Sequence, residues 1–145
     1  MLPTLVGRIQ TRLFVVLVVG GIWTLLITPV LPLSGSPGAR YGSTFLVLLT
    51  LAVVGVGWEL IYHLIQQFRW EKDWPTLFGV VTLVPEGVLL WLLIQGDSVP
   101  FLPAKPSPGA FLLHLLTTWI VVWLVSNGPM RVPFVHWRFR GGRLI

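Results

Sequence analysis

The sequence predicts an all-α fold, an integral membrane bundle of four transmembrane helices with both termini cytoplasmic (N-in/C-in). Three observations predict it. Of 145 residues, 54% are hydrophobic and 10% charged, with a mean hydropathy of +0.83, a balance that excludes an ordinary soluble domain. Four apolar runs, each long enough to cross about 30 Å of hydrocarbon, are separated by segments rich in Gly, Pro or charge. Finally, Arg8, Arg12, Arg69, Lys72, Arg131, Arg138, Arg140 and Arg143 fall on one side of such a bundle, and only Arg40 and Lys105 on the other. That positive-inside bias requires an even number of crossings with both termini cytoplasmic, and the expected location is the plasma (inner) membrane.

Other classes drop out on composition. With no cysteine there is no disulfide, thiol nucleophile or thiolate metal site. The net charge of +5 sits in segments flanking apolar runs, where topology and anionic headgroups account for it better than nucleic acid does.

The first span is read over residues 13–33. A basic start and the small residues of 34–39 mimic a cleaved signal peptide. The apolar run is longer than the roughly 7–15 residues of a signal core, however, and Pro37 would stand at the −3 position of a cut after Ala39, so the segment is read as retained. Gly20-Gly21 marks close helix packing. Residues 34–43 read as a loop, and the second span as 44–66. Residues 67–75 interleave both charge signs with Trp70 and Trp74, an interfacial turn or docking point carrying Arg69 and Lys72. The third span, 76–95, holds Val84-Pro85-Glu86-Gly87, where proline removes a hydrogen bond and predicts a kink. Residues 96–109 form a Pro-rich connector, and the fourth span covers 110–127, closed by Asn127-Gly128-Pro129. The tail, 128–145, alternates rings and guanidinium groups through Trp137, Arg138, Phe139 and Arg140. As an extended segment it would show aromatic residues on one side and, with Arg143, a lipid-binding basic face on the other.

The chemistry is concentrated in the second span. Glu59, Tyr62, His63 and Gln66 stand at i, i+3, i+4 and i+7 on one helix face, extended upstream by Ala52 and Gly55. A charge at the centre of an inserting helix costs roughly 2.5–3.5 kcal/mol, so this stripe has to face protein or trapped water. From the rise per residue, Glu59 lies about 13 Å, His63 about 7 Å and Glu86 about 16 Å from the cytoplasmic boundary. Thr118 is level with Glu86, with His114 about a turn further out and Thr24 and Thr28 at matching depths. The expected arrangement is one polar column of Glu59, His63, Glu86 and His114. In it the two acids share a proton or a cation, or Glu59 protonates His63.

Two uses of the column are open. It fastens helices or subunits by hydrogen bonds worth about 0.6 kcal/mol each, or it is a relay or ion site, with Glu59, His63 and Glu86 as the set for any metal. About 15 Å of axial separation argues against a haem between His63 and His114, and no cofactor is expected. No nucleophile and base pair suggests an enzyme. The expected function is an accessory or scaffolding subunit whose partners are anionic lipids and another membrane protein or a second copy of the chain. The alternative is a proton or divalent-cation transporter.

Overall fold

A computed structural model describes residues 3–72 and 74–145, and among these all regular structure is helical. Four helices are long and apolar enough to cross a membrane: Leu5–Val30, Pro37–Phe68, Phe78–Gln95 and Pro108–Arg131. They pack in a ring, first on second, second on third, third on fourth, and the fourth back on the first.

Several boundaries differ from the sequence reading. The first span begins at Leu5, not at residue 13, so Arg8 and Arg12 belong to its first turns and not to a flank. Thr4 caps it, its hydroxyl accepting from the Gly7 amide at 3.2 Å. The second span begins at Pro37, so residues 37–43 are helix and not loop. The reason is local: Ser36 is the N-cap and Pro37 occupies the first helical turn, where its missing N–H costs nothing. The same four residues, Ser-Pro-Gly-Ala, open the fourth span at Ser107. The third span is interrupted as expected, with Phe78–Val81 separated from Leu83–Gln95 at Thr82, just ahead of Pro85. Two carbonyls of this stretch are satisfied by indoles of the fourth span, Gly79 O by Trp119 Nε1 at 2.7 Å and Thr76 O by Trp123 Nε1 at 3.1 Å. Of the Gly20-Gly21 pair only Gly20 is a close approach, against Leu48 and Thr118.

A π turn at Val15–Val19 sets the inward face of the first span. Its buried positions include Arg8, Arg12, Val16, Gly20, Thr24 and Thr28, four apart throughout. In an unbroken α-helix such spacing drifts about 40° per step, carrying Thr24 about 120° round from Arg12. The wider π turn takes back much of that drift, so both ends of the span face inward.

The start of the first span and the tail lie at one end of the bundle. The tail is tied to the first helix through Thr4 N to Gly141 O (2.8 Å), Thr11 Oγ1 to Gly142 O (2.8 Å) and Trp137 Nε1 to Thr11 Oγ1 (2.6 Å). It is not extended: Val135–Phe139 is a short helix, which buries Trp137 and leaves Phe139 78% exposed, so the anticipated two-sided alternation is absent. Arg138, Arg140 and Arg143 are exposed. A Cβ on Gly7 would stand 2.0 Å from Gly141 O, so helix and tail meet only because position 7 has no side chain. Gly7→Val is therefore expected to detach the tail. Losing about two hydrogen bonds at about 1 kcal/mol each corresponds to roughly thirtyfold faster tryptic cleavage at the tail arginines. Unchanged cleavage would show that the contact carries no stability.

Candidate functional site: a buried arginine and glutamate network

Ala52, Gly55, Glu59, Tyr62 and Gln66 form the buried seam of the second span, spaced three and four apart. Glu86 joins them from the third span, 1% exposed against 9% for Glu59. What meets these acids is neither a histidine nor each other, but two arginines of the first span. Arg8 donates from Nε to Glu59 Oε2 at 2.8 Å and from Nη1 to Gln66 Oε1 at 3.3 Å. Arg12 bridges the two carboxylates, its Nη1 reaching Glu59 Oε1 and Glu86 Oε1 at 3.1 Å each while its Nη2 pairs with Glu86 Oε2. Tyr62 donates its hydroxyl to Glu86 Oε1 at 3.0 Å.

Two positive and two negative charges sum to zero, so the network removes the cost of an isolated charge without a proton or a metal. Rings stack on the guanidinium groups: Trp74 lies 4.3 Å from Arg8 and Trp119 5.6 Å from Arg12. Room for Arg12 comes from the second span, because a Cβ on Gly55 would stand 1.9 Å from Arg12 Nε. Gln66 closes the end of the network, donating to Pro3 O at 3.3 Å and Lys72 O at 2.6 Å.

The single polar column is therefore replaced by two clusters. His63 is turned away from the acids. It lies one residue, about 100°, past Tyr62 on the helix, and its hydrogen bond goes to Gln67 at 3.4 Å. Neither a Glu59–His63 pair nor a Glu59, His63, Glu86 ligand set is assembled, and no such group of ligands occurs among the described residues. His114 belongs to a second cluster nearer the opposite end, its Nε2 2.9 Å from Thr24 Oγ1, with Thr28 Oγ1 2.9 Å from Thr44 Oγ1. Buried apolar side chains, including Val15, Val16, Leu48 and Leu51, separate the two. Thr118 is buried, and its hydroxyl has no partner among the described residues.

The anticipated surface residues divide. Trp74 turns in against Tyr62 and Phe78, Arg69 lies over the Phe78 ring, and Lys72 takes a left-handed conformation whose carbonyl serves Gln66. Trp70 is 99% exposed. Asp73 of the same charged stretch lies outside the described residues.

The fold and site together define a chain with the four long apolar helices of a multi-pass membrane protein, internally charge-compensated at one end. No protein-family model matches it, and no curated protein or solved structure matches it either.

Proposed function

We propose that this protein is a small, non-enzymatic accessory or scaffolding subunit of a membrane complex. One observation carries the reading: both buried acids are already neutralised inside the chain by Arg8 and Arg12, so the charges hold three helices together instead of waiting for a travelling ion. The same contacts argue against the rival reading, transport of a proton or divalent cation through Glu59, His63 and Glu86. Support for a docking role comes from residues flanking the spans, where Phe68, Trp70 and Phe139 are exposed, as are Arg138 and Arg140. Arg8 and Arg12 now count within the bundle, yet Arg69, Lys72 and the four tail arginines still outnumber Arg40 and Lys105, which favours a cytoplasmic location for the end carrying the tail in the plasma (inner) membrane. Its partners on this reading are anionic lipids and another membrane protein or a second copy of the chain.

Solubilisation in mild detergent is expected to recover the chain with a second membrane polypeptide or as a homo-oligomer, and Trp70→Ala combined with Phe139→Ala to weaken that association. A particle that stays monomeric would remove the proposal. Proton or divalent-cation flux in liposomes that disappears in Glu59→Gln would establish the transporter instead.

A further inference from the structure

A cavity of about 350 Å³ opens beside the buried network, in the range of small-molecule sites. Its origin is geometric. Residues 5–14 lie against the second span, and the chain packs closely on the fourth span only from the π turn onward, while the fourth span leans on Phe78–Val81. The wedge left between them runs from Arg12 and Glu59 at its deep end to Asn127, Arg131 and Gly142 at the end carrying the termini.

The walls are chemically sorted. Trp74, Trp119, Trp123 and Trp137 supply aromatic surface, and among the described residues the charged lining consists of Arg8, Arg12 and Arg131 with Glu59. Glu86, the second acid, is not in this lining, so the described residues facing the cavity are net cationic although the network is neutral. Arg8 uses Nε and Nη1 on Glu59 and Gln66, and its Nη2 has no hydrogen-bond partner among the described residues. Arg131, exposed at the mouth, bonds Asn127 Oδ1 at 3.1 Å and has no acidic partner among the described residues. Cationic donors among tryptophans at headgroup depth suit a molecule with an anionic head and an apolar stem.

We propose that this cavity binds the phosphate-bearing head of an anionic amphiphile, drawn from the leaflet on the side of the termini, between Arg8 and Arg131, with its stem against Trp119 and Trp123. Arginine suits such a ligand because its planar fork donates two hydrogen bonds to phosphate oxygens.

The test uses the full chain in mild detergent and native mass spectrometry, titrating phosphatidylglycerol against phosphatidylcholine. Phosphatidylglycerol adducts are expected to persist at about tenfold lower lipid concentration, the scale of one charge-assisted hydrogen bond. Ser126→Trp, which fills the cavity, and Arg131→Gln, which removes the cation at its mouth, should each abolish the preference, with helix content and elution volume unchanged. Arg138→Gln/Arg140→Gln, outside the lining, should retain it. Equal retention of the two lipids overturns the proposal, as does a preference that survives both cavity variants or is lost in the tail variant. Displacement of phosphatidylglycerol by inorganic phosphate alone would also overturn it, by making the ligand a free anion.

Discussion

Arg12→Met is expected to destabilise the protein by about 3–5 kcal/mol, the cost of removing one partner from a buried ion pair. Among the described residues Glu86, almost wholly enclosed, would keep only the Tyr62 hydroxyl, and Glu59 only Arg8. Arg12→Met/Glu86→Gln should recover most of the loss. It leaves the Arg8–Glu59 pair balanced and preserves a carbonyl acceptor for Tyr62, so no buried charge stands alone. Thermal unfolding in mild detergent, followed by the near-ultraviolet circular dichroism of the tryptophans, measures both variants. A double variant as unstable as the single one would show that the arginine contributes through its packing on Trp119 and not through charge.

The second large effect is expected at Gly55. A methyl group there overlaps the Arg12 guanidinium, at 1.9 Å from Nε and 2.3 Å from Cζ. The guanidinium cannot swing aside without releasing Glu59 or Glu86. Gly55→Ala should therefore cost at least the roughly 1–3 kcal/mol of overpacking, whereas Gly57→Ala, with nothing within 4 Å of the added carbon, should be close to neutral. Introduced into Arg12→Met/Glu86→Gln, Gly55→Ala should cost less than about 1 kcal/mol, because the methionine end that replaces the guanidinium is not held by carboxylates and can turn aside. If the two sets of changes were additive, the close approach at Gly55 would have no bearing on the network.

These predictions rest on residues that were unequally visible in the chain. Glu59, Tyr62 and Gln66 were legible as an inward seam, since acids in an apolar helix have to find protein. His63 was misplaced by the width of that stripe: a neighbour four residues from Glu59 is close enough in angle to be included and far enough to turn away. Arg8 and Arg12 were missed as partners because hydropathy trims arginines from the ends of a span and positive-inside counting treats them as flanks. Their spacing of four, on a helix capped by Thr4, was the available signal. The start of the second span was legible too, in Ser36-Pro37, but the glycines and serines around it read more strongly as loop.

Hydropathy is a sum over neighbouring residues, so the sequence alone determined four helices long and apolar enough to cross a membrane and the interruption ahead of Pro85. Only the tertiary structure decided which groups neutralise which. Arg12 and Glu86 are 74 positions apart. They meet because the π turn rotates the first span, Gly55 makes room for a guanidinium, and the third span is seated beside the second. Pairing over such separations depends on the angular setting of whole helices, which no local pattern of residues records.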